Sequence, residues 1–208
     1  MAFSDFKNIK QVLQYCPTVK LRLARFLPDV QLELPDLFIE NLNFALDKRT
    51  MFENEQFFCE SFIFPFLQQT WKRYDKLRLW SHQELVCDDK LSGAPDYLVS
   101  RWQGEIIEKP INTPLLAVVE AKKQDFEGGW AQCLAEMMAC QKLNQDENLT
   151  VYGIVSTGIL WEFGKLEKEV FTQHTLSYSV MEPQKVFGTL DYLFAECEKQ
   201  ISDSAVPK

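Results

Sequence analysis

Along this chain the spacing of apolar residues changes from a helical period to short continuous runs and back, and those changes mark its elements. Over Phe3–Tyr15 the residues Phe6, Ile9, Val12 and Leu13 repeat at helical spacing, and Pro17 stops the helix. Pro28 and Pro35 bracket an irregular connection. Pro35-Asp36 then opens a second helix whose apolar positions include Leu37, Leu42, Phe44 and Leu46. A third helix, Phe52–Tyr74, carries Phe57, Phe58, Phe62, Phe66, Leu67 and Trp71, with Pro65 expected to bend it. Leu77–Val86 and Tyr97–Trp102 then read as strands around a turn-prone stretch from Asp88 to Pro95.

A polar loop over Gln103–Thr113, broken by Gly104 and Pro110, leads into Leu115–Val119. That run is apolar, partly β-branched and free of alternation, as a buried strand should be. Gly128-Gly129 reads as a break before a helix from about Trp130 to Leu143. Val151–Ser156 and Leu160–Leu166 read as strands joined through Thr157-Gly158. Glu169–Val180 alternates weakly, and Pro183–Ile201 reads as an amphipathic helix. Mixed strands and helices in this order predict one α/β domain, with no internal repeat.

Composition narrows the class. The chain has 208 residues, 46% of them hydrophobic, and sixteen Phe, enough for a sizeable core; disorder is expected only in the tail from Ser202 to Lys208. There is no apolar signal core at the start and no run long enough to span a bilayer, so a soluble, cytoplasmic protein without a membrane partner is expected. Six cysteines without a Cys-x-x-Cys pair, and only two histidines far apart, argue for reduced thiols and against a zinc site. Net charge is −8, which weakens non-specific attraction to phosphate. Residues 1–80 are nearly balanced, and the acid excess lies in 81–208. Lys20, Arg22 and Arg25 form one basic patch, and Lys72, Arg73, Lys76 and Arg78 another; solvated faces account for both, with nucleic-acid contact the alternative.

The candidate chemistry sits where the buried strand ends. Glu120 and Lys122 are two residues apart, so on a strand they share a face while Ala121 turns away. Charge at the end of a buried strand is costly unless it is paired or bound to metal. Asp96, after Pro95 at the start of a predicted strand, is a second carboxylate within reach of such a site. Two carboxylates can hold a hard cation such as magnesium, or manganese, that offsets phosphate charge and lowers the pKa of a bound water. Asp96 and Glu120 are the natural ligands, with the Ala121 carbonyl a third, and Lys122 stands beside the attacking water. The ordinary readings are a turn-capping Asp96 and an edge-strand charge pair at Glu120–Lys122. His82 falls on a predicted strand and reads as a core or surface histidine.

Pro95-Asp96, Glu120-x-Lys122 and a following helix bearing Gln132-x-x-x-Glu136 together resemble the PD-(D/E)XK nuclease superfamily. The nearer resemblance is to the nuclease domain that begins the motor subunits of type I restriction enzymes. It is carried by Asn54-Glu55 with Ile63-Phe-Pro65, by Ala94–Tyr97 with Val119–Lys122, and by Tyr152–Gly158 with Trp161–Gly164. The resemblance implies a restriction-endonuclease-like core over 51–166, a mixed sheet flanked by helices. Residues 1–50 would form a helical extension, and 167–208 a final strand and helix. It implies the same roles for Asp96, Glu120 and Lys122, makes Glu55 a metal ligand direct or through water, and brings Gln132 to the site or the phosphate backbone. Glu53 and Glu60 compete with Glu55, and Glu136 follows Gln132 on the same helix face. The function so implied is magnesium-dependent hydrolysis of DNA, by a homodimer or by one subunit of a larger restriction or repair assembly. The alternative is a non-catalytic binding or assembly module that keeps the fold.

Overall fold

The computed structural model describes residues 2–104 and 111–203; most of the polar loop expected between 103 and 113 and the last residues of the tail lie outside these. After one 3-10 turn at Phe3–Asp5 come α1 (Ile9–Tyr15), β1 (Lys20–Leu23) and α2 (Asp36–Lys48). Asn8 caps α1 by accepting from the Gln11 N–H at 3.1 Å. A longer helical run joins α3 (Glu55–Phe58), a π turn (Cys59–Ile63) and α4 (Phe64–Trp71). In place of a proline bend alone, this run has a π turn ending just before Pro65, whose missing N–H leaves one helical bond unmade in any case.

The strands follow as β2 (Leu77–Ser81), β3 (Leu85–Val86), β4 (Ser92–Gly93), β5 (Tyr97–Arg101) and β6 (Leu115–Ala121). Next come α5 (Phe126–Asn144), β7 (Val151–Ser156), β8 (Leu160–Glu167), β9 (Val170–Gln173), β10 (Tyr178–Ser179) and α6 (Pro183–Asp203). Eight strands form one mixed sheet in the order β1-β9-β8-β7-β6-β5-β2, with β10 beside the start of β8. The pairs β6–β7 and β1–β9 are parallel and the others antiparallel. This is an α/β fold with a mixed central sheet flanked by helices. The helical N-terminal extension contributes a strand as well, since Lys20–Leu23 pairs with Val170–Gln173 at one edge. No helix among the described residues is long and apolar enough to cross a membrane.

Two apolar layers cover the sheet. On one face α2, the α3–α4 run and α6 pack over Leu116, Val119, Ile154 and Phe163, around Phe62, Phe66 and Trp161. On the other, α5 and α1 pack over Leu115, Val118, Val155 and Phe171. A register shift in the β5–β6 ladder between Val99 and Ser100 leaves the adjacent Leu116 and Ala117 in the same layer, after which Val118 and Val119 alternate normally. The Asn144 side chain, at the end of α5, accepts from the Leu115 N–H at 2.7 Å and donates to the Leu115 carbonyl at 2.8 Å. That clamp fixes where β6 begins, and with it where Glu120 comes out. The six cysteines are free thiols, four of them buried.

Candidate active site

β6 is buried along its whole length, Glu120 included. Its alternation turns Val119 and Ala121 toward the α4–α6 layer and Glu120 toward α5. In the β5–β6 ladder Tyr97 lies opposite Val119, so continuing the register puts Asp96 opposite Glu120. The Asp96 carboxylate accepts from the Ala121 N–H at 2.8 Å, which ties the Pro95-Asp96 turn to the strand end. Lys122 forms an ion pair with Glu120 and donates its backbone N–H to the Ser156 carbonyl at 2.9 Å. Asp96, Glu120 and Lys122 therefore meet at one end of β6. Solvent reaches them from the Asp96 and Lys122 side, where the side chains are 19% and 23% exposed against 2% for Glu120.

Of the three acids near the start of α3, Glu55 is the one that reaches this end of the sheet, accepting from the Lys123 N–H at 3.2 Å. Glu53 instead accepts from Thr50, and Glu60 from the Gln56 amide at 2.9 Å. Gln132 donates its amide to Glu136 at 3.1 Å, so the structure turns it toward a second buried acid. Glu136 is completely buried; its Oε2 and the Oε2 of Glu120 both lack a hydrogen-bond partner.

Burial, then the charge of Asp96, pushes the Glu120 pKa up, with Lys122 opposing. Burial first, then Glu120, holds the Glu136 carboxyl well above the usual carboxylate range. Burial disfavours the Lys122 ammonium, but Glu120 outweighs it and the net shift is upward. Contact between Glu120 and Lys122 thus favours the charged form of both, whereas Glu136 has no cation against it and only the Gln132 amide opposes its upward shift. Beneath lies Cys59, whose thiol burial and Asp96 push up to about 12, so it is inert as a nucleophile.

The helix that carries Gln132 and Glu136 begins earlier than the Gly128-Gly129 pair implies. Asp125 caps it, accepting from the Gly128 N–H at 2.9 Å, and both glycines lie within its first turn. Gly129 is there for proximity: a Cβ on it would stand 2.7 Å from Val155 Cγ1 and 3.0 Å from Lys122 Cγ. Gly129→Ala is expected to destabilise the protein by about 1–3 kcal/mol. Val155 is fixed in the sheet, so overpacking outweighs the roughly 1 kcal/mol of helix propensity gained. Urea unfolding reads the difference, and an unchanged or higher midpoint would contradict the close packing.

His82 belongs to this site although its sequence position gave no sign of it. The strand expected over Leu77–Val86 breaks there: His82 takes a left-handed conformation with φ of 51°, and β3 resumes only at Leu85. The break swings the imidazole to Asp96, with Nε2 3.4 Å from Oδ1, while Nδ1 lies 2.9 Å from Ser81 Oγ. The basic cluster goes elsewhere. Lys72, Arg73 and Lys76 lie near the start of β2, whose opposite end carries His82 and Asp96, about 15 Å away along the strand. Arg73 pairs with Asp191 at 2.6 Å, and Lys72 lines a hollow of about 290 Å³ with Trp71, Arg78 and Trp102.

No protein-family model matches the chain, and no curated protein matches its sequence. Function therefore has to be argued from the site itself. Among the described residues no three His, Cys, Asp or Glu side chains are gathered as a ready metal cage. What the strand end offers is the Asp96 and Glu120 carboxylates, with the backbone carbonyl of Ala121 following Glu120 in the strand. All are hard oxygen donors, and the set suits a cation that keeps several of its waters.

Proposed function

We propose that this chain is a magnesium-dependent nuclease that hydrolyses phosphodiester bonds, with DNA as substrate. The reading is carried by one observation: Asp96, Glu120 and Lys122, separated in sequence, come together at the solvent-reached end of a buried strand. The sequence resemblance to PD-(D/E)XK nucleases assigns the same three residues. The cation would be held by Asp96, Glu120 and the Ala121 carbonyl, with Glu55 at the rim; manganese suits the same donors. When bound, it supplies charge to offset the phosphate and acidifies a coordinated water.

Each residue then has a defined part. Lys122 orients the attacking water and meets the charge that develops on the phosphate oxygens. His82 and the Ala121 N–H fix the Asp96 carboxylate between them. Gln132 is a positioning group, since it bonds to Glu136 and so steadies the acid behind Glu120. Purified protein is expected to cut plasmid or single-stranded DNA with magnesium or manganese and to be inert with chelator. A homodimer or a place in a larger restriction or repair assembly fits the same site.

A non-catalytic binding module is the second reading. It is favoured by the engagement of both Asp96 oxygens within the protein and by the net charge of −8. Calorimetric titration separates the two. The nuclease reading expects magnesium or manganese binding that Asp96→Asn weakens by at least tenfold, whereas the binding module expects no heat from either protein.

A further inference from the structure

The turn between α2 and α3 carries a feature that the metal site does not use. Met51 and Phe52 are 84% and 87% exposed, more than any other large apolar side chain of the described residues. They are held out by a bonded turn and not by a loose loop. Glu53 Oε1 accepts from the Thr50 N–H and Oγ at 3.2 and 3.1 Å, Thr50 Oγ accepts from the Phe52 N–H at 3.3 Å, and Asn54 caps the next helix. On the other side of Thr50, Lys48 and Arg49 are exposed, and neither is engaged in an ion pair or side-chain hydrogen bond among the described residues. The acids nearest in sequence are Asp47, Glu53 and Glu55; Glu53 is turned back onto Thr50 and Glu55 onto the Lys123 N–H.

Position makes the turn relevant. Glu55 is bonded to the backbone of Lys123, one residue beyond Lys122, and Phe52 lies three residues before Glu55, so at most about 10 Å of chain separates them. Two free cations followed by an exposed aromatic ring, a few nucleotides from a site for phosphodiesters, make the combination that holds single strands: charge for the backbone and a π-face for a base. A paired base has both faces covered by its neighbours, so stacking on Phe52 requires a base free of its duplex. Holding the ring in a preformed turn lowers the ordering cost of that contact.

We infer that Lys48, Arg49 and Phe52 form a stacking platform for an unpaired nucleotide beside the scissile phosphate, and that the preferred substrate is a single-stranded or frayed segment. The inference rests on the nuclease reading for the nature of its ligand. Fluorescence anisotropy with a fluorescein-labelled oligothymidylate and a matched duplex, in chelator so that nothing is cut, tests it separately from catalysis. Phe52→Ala is expected to weaken oligothymidylate binding about tenfold and duplex binding less than twofold, while Phe52→Tyr keeps the parent affinity. Because the ring is solvent-exposed, circular dichroism should show the same fold for all three proteins.

An equal loss on both probes, or none on either, overturns the platform. So does a wild-type protein that ignores both probes but passes from dimer to monomer with Phe52→Ala in ultracentrifugation, since the patch is then a protein contact. Selective loss of single-strand binding in a protein that never cuts keeps the platform and removes the hydrolase. Cleavage with unchanged Phe52→Ala binding does the reverse.

Discussion

Lys122→Ala is expected to lower magnesium-dependent cleavage by about 10²- to 10⁴-fold, the range seen when a charge-stabilising or proton-handling group is removed from a site of this kind. The ammonium is in contact with Glu120 and only partly exposed, so water cannot take its place with the same orientation. Lys122→Arg should not restore the rate, because a planar, delocalised guanidinium does not replace the compact ammonium held against Glu120. Asp96→Asn should bring a loss of the same order without disturbing the turn, since its amide oxygen can still accept from the Ala121 N–H while the negative charge is gone. Lys165→Ala, at a charge pair with Glu167 on β8, serves as the control and should cut at the parent rate. Initial rates on plasmid DNA with magnesium, beside circular dichroism, make the comparison. Lys122→Ala and Asp96→Asn proteins that are folded and cut as fast as the parent would remove Asp96, Glu120 and Lys122 from any chemistry.

Much of the frame was legible before the structure. The bounds of β6 and β7 follow from their largely apolar runs, and the start of α2 from Pro35-Asp36. Such runs admit few alternatives, because burying them on both faces requires a central strand. What was not legible depended on contacts between distant segments. Lys20-Leu-Arg-Leu reads as a basic patch since two of its four residues are charged and all four are exposed; it is a strand because β9 is there to pair with it. Gly128-Gly129 reads as a breaker because propensity sees lost helix, not the closeness of α5 to Lys122 and Val155 that glycine permits.

The site divides in the same way. Asp96, Glu120 and Lys122 stand out because charge beside a buried strand is anomalous. His82 does not, because its approach to Asp96 depends on a left-handed backbone conformation at one residue. Glu136 had a usable signal: an acid within the apolar stretch Cys133–Cys140 is as odd as one at the end of β6, and helical periodicity alone hid it. Lys48 and Arg49 are only two adjacent cations against the four of Lys72–Arg78, and the fold carries that larger cluster to the other end of β2.

That buried acid sets the second large effect, on stability and its dependence on pH. Glu136 holds its proton in the folded protein well above the usual range, owing to burial first and the Glu120 charge second. Its ordinary value is 4.5, so above that pH the unfolded chain has lost a proton that the folded chain keeps. Stability from this group is therefore complete below about pH 4.5 and declines as pH rises toward the folded value, at up to about 1.4 kcal/mol per pH unit for the one proton. Glu136→Gln replaces the protonated acid with a neutral group of the same shape and removes that slope. The variant should match the parent near pH 5 and exceed it by a margin that widens toward pH 8, by no more than about 1.4 kcal/mol per pH unit, read as midpoints of urea unfolding across that range. Magnesium held by Glu120 would act in the same direction in the parent, since a cation lowers the cost of charge in the pocket, and its stabilisation should grow from pH 6 to pH 8. A Glu136→Gln protein whose advantage over the parent does not change with pH would mean that Glu136 is ionised in the folded state. The retained proton would then have to sit on Glu120 itself, and a cation could bind there only by displacing it.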